Sequence, residues 1–205
     1  MGASLIMLGH IPVIAGTDEV GRGPLAGPVV AAAVIINKRQ HAILLGEGLR
    51  DSKKISHKIR MRLFLRLSEL GVVWRAQAAS PQKIDSINIL QASLWCMRRA
   101  IEKLPIVPDL VLVDGNQNIP NVSIKQKCIV KGDDRVPVIA LASVIAKVLR
   151  DNAMIELDKI YSEYGFASNK GYPSLKHREK LKKIGPSPIH RMSFRGVLIS
   201  EENVS

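Results

Sequence analysis

The stretch Asp18-Glu19-Val20-Gly21-Arg22-Gly23 follows directly on an apolar run at residues 11–15. The run predicts a buried strand, with two adjacent carboxylates and a Gly-Arg-Gly turn at its end. The 205-residue chain has a formal net charge of +12, so solubility does not explain acids beside an apolar strand. Carboxylate oxygens suit hard divalent cations, and glycine lets a backbone approach a phosphate chain closely. The stretch therefore predicts metal-dependent chemistry on nucleic-acid phosphodiesters.

The composition of the chain favours a polyanionic partner. Lys and Arg number 30 against 18 Asp and Glu, and cations that neutralise phosphates release condensed counterions. Aromatic residues make up only 4%, which argues against an extended base-stacking platform for single strands. The 46% hydrophobic content supports one substantial core. We expect a single catalytic domain over residues 1–205, with a basic helical portion from about residue 165.

Several classes of protein are disfavoured by what the sequence lacks. Cys96 and Cys128 have no C-x-x-C spacing, so neither a zinc site nor a disulfide framework is indicated. The first 14 residues have no basic segment typical of a signal peptide. The longest apolar stretch, residues 23–36, is too short and too rich in Gly and Pro to span a membrane. We expect a cytoplasmic protein with no membrane partner.

Strands that alternate with helices predict an α/β layer fold. The strands are predicted at residues 11–17, 29–36, 72–79, 110–113 and 122–130. The helices are predicted from a Ser56 cap to about residue 70, from a Ser86 cap to 104, at 138–161 and at 176–183.

Two further acids follow predicted strands. Asp114 comes after residues 110–113, and Asp133 comes between the next strand and the long helix. Ligand sites in open α/β sheets gather outside the carboxyl ends of strands. These acids, together with Asp18 and Glu19, are predicted to converge on Mg²⁺ or Mn²⁺. The alternative is that each acid is only a turn residue or a helix cap.

The adjacent acids raise a geometric condition. Neighbouring residues of a regular strand point to opposite faces of the sheet. Asp18 and Glu19 share one site only if the strand ends at them, which Gly21 and Gly23 permit. The glycine turn is not a nucleotide-binding P-loop, because Gly-Lys-Ser/Thr is absent.

Two polar segments are candidates for phosphate contact. Ser52 and Lys53 lie in the loop Asp51-Ser52-Lys53-Lys54 and offer a hydroxyl and an ammonium group. On the long helix, spacings of four and three place Ser143, Lys147 and Arg150 on one face near the acids. The alternative for both segments is an ordinary solvated surface.

The C-terminal tail presents a tyrosine between turn residues. Tyr172, in Gly171-Tyr172-Pro173, is predicted to stack on a sugar or base rather than to fill the core. The five histidines show no metal-ligand spacing, so surface or structural roles are expected for most of them. His177 and His190 flank the basic tail and are further candidates for phosphate contact.

Seven motifs, in this order, make the chain resemble bacterial ribonuclease HII. They are Asp18-Glu19-Val20-Gly21-Arg22-Gly23, Asp51-Ser52-Lys53-Lys54, Val113-Asp114-Gly115-Asn116, Lys131-Gly132-Asp133, Ala142-Ser143-Val144-Ile145-Ala146-Lys147-Val148-Leu149-Arg150-Asp151, Lys170-Gly171-Tyr172-Pro173-Ser174 and His190-Arg191-Met192-Ser193-Phe194. The resemblance implies an RNase H-like fold, with a central mixed β-sheet flanked by helices and a C-terminal helical region.

The resemblance also implies an activity. It is cleavage of the RNA strand of RNA–DNA hybrids, and incision 5′ of single ribonucleotides in duplex DNA, by two-metal-ion hydrolysis. It assigns metal-binding catalysis to Asp18, Glu19, Asp114 and Asp133. It assigns recognition of the ribose 2′-hydroxyl to Gly21, Arg22 and Gly23, and stacking on the neighbouring sugar to Tyr172. A monomer is expected.

Two other functions stay open at this point. A non-catalytic basic nucleic-acid-binding protein would use the acids only as caps and turns. An enzyme acting on nucleotide phosphates would use the glycine turn, although the missing Gly-Lys-Ser/Thr argues against it.

Overall fold

The computed structural model describes residues 11–50, 52 and 54–198, which form a five-stranded sheet with helices on both faces. The strands are β1 (Ile14–Val20), β2 (Val29–Ile35), β3 (Val73–Ala79), β4 (Leu110–Asp114) and β5 (Lys125–Ile129). The helices are α1 (Lys38–Gly46), α2 (His57–Glu69), α3 (Pro81–Ile87), α4 (Ile89–Glu102), α5 (Gly132–Arg135), α6 (Pro137–Ile160), α7 (Phe166–Asn169) and α8 (Leu175–Ile184). A 3₁₀ turn, Ser162–Tyr164, precedes α7.

The sheet is mixed, in the order β3-β2-β1-β4-β5. β1 pairs antiparallel with β2 and parallel with β4, and β4 pairs parallel with β5. The carboxyl ends of β1, β4 and β5 therefore lie at one edge, where ligand sites of α/β sheets gather. The predicted α/β fold with a mixed sheet flanked by helices is confirmed.

Both faces of the sheet are covered, which explains the wholly apolar β2. Val30, Ala32 and Val34 pack with the α6 side of the sheet, whereas Ala31 and Ala33 pack with the α4 side. Successive strand residues alternate between faces, and a strand buried on both faces reads as a continuous apolar run.

Helix α6 lies unusually close to β1. A Cβ atom placed on Gly16 would be 2.6 Å from the carbonyl carbon of Val138. Only glycine permits this approach of two backbones. The contact places the first turns of α6 directly behind the strand that carries Asp18 and Glu19.

The residues after α6 pack against the turn that follows β1. Leu25 and Ala26 of this turn form one apolar cluster with Met154, Tyr164, Phe166, Leu181 and Val197. The serine at position 174 caps α8, whose basic residues include Lys182 and Lys183 in the last turn. The C-terminal helical region predicted from the sequence is therefore present and rests on the glycine turn.

Several predicted boundaries were wrong. β1 extends to Val20 rather than ending near residue 17, and β5 begins at Lys125 rather than at 122. Helix α1 was not predicted; its signal is a reciprocal capping box between Asn37 and Gln40. Within the described residues, no helix has the length and apolar content needed to cross a membrane.

The helix predicted from a Ser86 cap to residue 104 is present as α4 but begins later, at Ile89, and the short helix α3 before it was not predicted. Asn88 has φ of 63°, which interrupts the helical path, and its side chain accepts from the Gln91 N–H to cap α4. Ser80 caps α3, and the Ser86 hydroxyl donates to the Lys83 carbonyl within that helix.

Candidate active site

The two adjacent acids lie within β1 and point to opposite faces of the sheet. Asp18 is in register with Ala32 on the α6 face, and Glu19 with Ala31 on the α4 face. The strand does not end at them but one residue later, at Val20, so the condition set from the sequence is not met by the strand itself. Both acids are nevertheless close enough to Asp114 for its charge to raise the pKa of each. The ladder between β1 and β4, however, stops at Thr17, so the sheet opens between these strands beside Asp18.

Asp18 is a buried carboxylate with negative neighbours. Only 4% of the surface of Asp18 is exposed to solvent. Burial raises the pKa of Asp18 well above its usual value, and the charges of Glu19 and Asp114 raise it further. Hydrogen bonds from the Ser143 hydroxyl and the Glu19 N–H, the latter at 2.7 Å, act in the opposite direction. The carboxylate is therefore held in place by two donors while its two acidic neighbours repel it.

Glu19 lines a cavity of about 220 Å³ on the other face. Its Oε1 lies 3.2 Å from Arg22 Nη1. Burial raises the pKa of Glu19, Arg22 lowers it and Asp114 raises it again. Asp114 lines the same cavity, so it is the electrostatic link between Glu19 and Asp18.

The third and fourth acids meet at the start of α5. Asp114 Oδ1 accepts the Gly132 N–H at 2.7 Å and the Asp133 N–H at 3.4 Å. Asp133 is 6% exposed in this first turn. The predicted strand-end positions of Asp114 and Asp133 are confirmed, and the acids gather at one edge of the sheet.

The oxygen atoms of these four carboxylates are suitable ligands for a divalent cation, although the side chains are not arranged as a complete metal-binding cluster. Among the residues that the structure describes, no three or more His, Cys, Asp or Glu side chains are arranged to hold a metal. All four groups offer carboxylate oxygens, the ligands of Mg²⁺ and Mn²⁺. Burial and the charges of Glu19 and Asp114 raise the pKa of Asp18, and a cation bound beside these carboxylates would favour their ionised form.

The glycine turn is held by a buried arginine that the sequence did not reveal. Arg191 is fully buried, and its guanidinium donates to the carbonyls of Gly21 at 2.6 Å, Arg22 at 2.9 Å and Gly27 at 3.0 Å. Burial lowers the pKa of Arg191 to about 9, with further lowering by Arg150. Arg191 therefore fixes the backbone of the turn without facing solvent.

Arg150 plays a similar part, so its predicted phosphate contact was wrong. It is fully buried and donates to the carbonyls of Pro28 at 2.9 Å, Ala26 at 3.3 Å and Lys170 at 2.9 Å. It joins the turn after β1 to the turn that carries Tyr172.

The predicted serine contacts with phosphate do not match the structure either. Ser52 and Ser143 are each 1% exposed, and their Oγ atoms lie 2.8 Å apart. Because the Ser143 hydroxyl also donates a hydrogen bond to the Asp18 carboxylate, Ser52 and Ser143 together orient that carboxylate. Lys147 is half-buried and its Nζ lies 2.8 Å from Asp151 Oδ1. The predicted contact of Lys53 falls outside the described residues.

Tyr172 and the glycine turn lie together. Tyr172 is 41% exposed, and a Cβ atom on Gly23 would be 3.7 Å from its Cε1. The Arg150 guanidinium carbon is 5.8 Å from the centre of the Tyr172 ring. Two of the predicted substrate-reading elements thus form one surface, which continues to Arg22 and Glu19.

The predicted phosphate contact of the two histidines was wrong. His177 and His190 are buried, with their Nε2 atoms 3.0 Å apart.

Residues 15–197 match the family described as Ribonuclease HII. The chain belongs to the ribonuclease HII family. Members of this family are metal-dependent endonucleases. Membership accounts for the order of acids, glycine turn and tyrosine along the chain.

Curated ribonuclease HII proteins are close in sequence. The chain is 52% identical over 181 residues to Ribonuclease HII of Acaryochloris marina, covering 88% of this chain and 91% of that one. It is 49% identical over 195 residues to Ribonuclease HII of Colwellia psychrerythraea, covering 90% and 88%.

Solved structures related to ribonuclease HII share the fold. The ribonuclease H2 of Pyrococcus horikoshii is 27% identical with a TM-score of 0.77, over 90% of this chain and 95% of that chain. The ribonuclease HII of Archaeoglobus fulgidus, solved in complex with PCNA, is 26% identical with a TM-score of 0.75, over 93% and 98%.

Proposed function

We propose that this ribonuclease HII cleaves the RNA strand of RNA–DNA hybrids and incises duplex DNA 5′ of single embedded ribonucleotides. The products carry 5′-phosphate and 3′-hydroxyl ends. The observation that carries the proposal is the placing of a braced glycine turn and Tyr172 beside the acidic edge of the sheet. The ribonuclease HII relatives, at 52% and 49% identity, support it.

The metal-binding residues in this proposal are Asp18, Glu19, Asp114 and Asp133, and the ions are Mg²⁺ or Mn²⁺. These residues would hold the ions, which would supply activation of a water and stabilisation of the leaving 3′-oxygen. Ser143 and the Glu19 N–H orient the Asp18 carboxylate. The N–H groups of Gly132 and Asp133 donate to the Asp114 carboxylate and orient it.

The glycine turn and Tyr172 read the sugar. Gly23 has no side chain between its backbone and the Tyr172 ring, so a sugar edge can approach both. The 2′-hydroxyl is the group that distinguishes RNA from DNA at such a site. Arg191 and Arg150 fix the carbonyls of this turn, which keeps its remaining backbone groups directed outward.

The basic surface positions the duplex without reading its sequence. The excess of 30 Lys and Arg over 18 Asp and Glu supplies the phosphate contacts. We also propose that the protein acts as a monomeric single domain in the cytoplasm.

The test compares three labelled duplexes of one sequence: an RNA–DNA hybrid, a DNA duplex with one ribonucleotide, and DNA alone. Each is incubated with Mg²⁺, with Mn²⁺ or with EDTA. We expect metal-dependent cleavage of the first two and incision 5′ of the single ribonucleotide. Binding of all three without cleavage would instead favour the non-catalytic binding protein.

Variants locate the chemistry. Asp18→Asn and Asp114→Asn should abolish cleavage while hybrid binding persists. The matched control is Glu156→Gln, an exposed carboxylate on α6 whose change should leave cleavage intact. Retained cleavage in Asp18→Asn or Asp114→Asn would contradict the assignment of the acids.

A further inference from the structure

Two buried histidines connect the C-terminal tail to the Tyr172 turn. His177 lies in α8 and His190 in the tail, and they are 0% and 2% exposed. Their Nε2 atoms are 3.0 Å apart. His177 Nδ1 is 2.8 Å from the Tyr172 carbonyl, and His190 Nδ1 is 2.9 Å from both the backbone N and the Oγ of Ser187.

The geometry allows only one placement of the ring protons. The Ser187 N–H is a donor, so His190 Nδ1 accepts and carries no proton. His190 Nε2 therefore carries the proton and donates to His177 Nε2. His177 then carries its proton on Nδ1 and donates to the Tyr172 carbonyl. Both imidazoles are neutral, and each hydrogen bond in the chain depends on the one before it.

The surroundings of the pair favour this neutral state. Ring centroids of Tyr164 and Phe166 lie 4.9 Å and 5.7 Å from that of His190. Burial lowers the pKa of His190 to about 4, with further lowering by His177, and burial lowers the pKa of His177. A proton added to either ring would oppose two donors at one of the hydrogen bonds.

We infer that His177 and His190 are positioning residues for Tyr172. The Tyr172 peptide carbonyl accepts from the Ser174 N–H at 2.8 Å and from His177 at the end of the hydrogen-bond chain that starts at Ser187. The second bond adds a direction that the local turn alone does not set, and the fixed peptide holds the exposed ring beside Gly23. This inference rests on the proposed role of Tyr172 in reading the sugar. It predicts that the histidines affect recognition of the ribonucleotide through Tyr172 and not through the acids.

A double-mutant cycle tests this coupling. His177→Phe fills the site without the ring nitrogens, and His177→Asn keeps a donor near Nδ1. Each is made alone and with Tyr172→Ala, and kcat/KM is measured on the single-ribonucleotide duplex and on the RNA–DNA hybrid. We expect His177→Phe to lower incision of the single-ribonucleotide duplex about tenfold, as coupled neighbours do. His177→Asn should restore most of this loss.

The second half of the cycle separates positioning from general damage. In the Tyr172→Ala background, His177→Phe should cause no further loss. An equal loss in both backgrounds, or no loss in either, would overturn the inference. A wild-type protein that cleaves neither substrate would instead overturn the proposed function, so the two failures are distinguishable.

A measurement on the wild-type protein keeps the inference testable if His177→Phe does not fold. The ¹⁵N resonances of the imidazoles distinguish the two neutral tautomers from the cation. At pH 7 we expect the Nδ1–H tautomer for His177 and the Nε2–H tautomer for His190. The opposite tautomers, or a cationic ring, would contradict the hydrogen-bond chain.

Discussion

Asp18 shows what the site demands of a single residue. It is buried, it is flanked by the charges of Glu19 and Asp114, and its pKa is raised by all three influences. A group of this kind lowers the stability of the metal-free protein when it is ionised, because the unfolded chain shares neither the burial nor the repulsion. The free-energy cost is retained where a functional site requires it.

We expect Asp18→Asn to abolish cleavage and to raise the melting temperature of the metal-free protein. The amide removes one of the repelling charges, and each kcal/mol relieved raises Tm by about 2–4 °C in a protein of this size. Thermal unfolding in EDTA measures the effect. Added Mg²⁺ should then stabilise the wild type more than the variant. A variant less stable than the wild type in EDTA would contradict the electrostatic account.

Arg191 stabilises the glycine turn through hydrogen bonds to three backbone carbonyls. Arg191→Lys keeps the positive charge but loses the planar fork that bonds Gly21, Arg22 and Gly27 together. Buried carbonyls left without donors cost about 1–3 kcal/mol each, so we expect a loss of about 3 kcal/mol in urea unfolding. Incision of the single-ribonucleotide duplex should also fall. Arg39→Lys, an exposed arginine on α1, serves as the control and should change neither.

The residue scale also separates what a sequence can reveal from what it cannot. Asp18, Asp114 and Asp133 were found because each follows an apolar run, a pattern local in the chain. Arg191 was not, since its partner Gly21 lies 170 residues away and is a backbone carbonyl. Every residue has a backbone carbonyl, so the sequence does not show which carbonyls will accept a hydrogen bond from a distant arginine.

At the scale of elements, the site depends on the distance between β1 and α6. Gly16 sets that distance, and α6 brings Ser143 to the back of Asp18. The strand supplies the acid and the helix supplies its support, so a change in their spacing affects both stability and chemistry.

We expect Gly16→Ala to destabilise the protein and to reduce cleavage. Its Cβ would lie 2.6–2.8 Å from backbone atoms of Val138 and Ile139, which cannot rotate away as a side chain can. Overpacking of this kind costs about 1–3 kcal/mol in urea unfolding. The control is Gly46→Ala in α1, where nothing lies within 4 Å of the new atom. Equal stability of the two variants would show that α6 moves freely.

Elements were predicted well where periodicity carried the information and less well where local backbone geometry did. The long helix α6 was predicted within one residue at each end, because its apolar pattern is continuous. The cap of α4 was predicted at Ser86 rather than at Asn88, since the positive φ of Asn88 leaves no mark in hydrophobic spacing. The extent of β1 was missed because polar Asp18 and Glu19 continue a strand that the apolar pattern had ended.

At the scale of the whole molecule, the C-terminal region holds the glycine turn from the opposite end of the chain. Arg191 bonds Gly21 and Arg22, and the histidine pair bonds the Tyr172 turn. The parts of the substrate-reading surface are therefore set by a tail that is itself held by buried polar groups. Loss of the tail's packing should remove the reading surface while the sheet persists.

The histidine pair makes this arrangement sensitive to acid. The folded protein holds His190 with a pKa of about 4, whereas an unfolded chain has the ordinary value of about 6.5. Between these values the unfolded state binds more protons, so stability rises with pH. The contribution is therefore complete above about pH 6.5 and is lost as the pH falls toward 4. Each pH unit in this window corresponds to about 1.4 kcal/mol.

We expect the free energy of unfolding to fall by about 2 kcal/mol from pH 7 to pH 5 through His190 alone. Other groups also titrate in this range, so the test compares the wild type with His190→Gln, which keeps a donor near Nε2 but does not titrate. Urea unfolding at both pH values should give a smaller pH dependence for the variant. Identical slopes would mean that His190 is protonated equally in the folded and unfolded chains, and would contradict the lowering of its pKa by burial beside Tyr164 and Phe166.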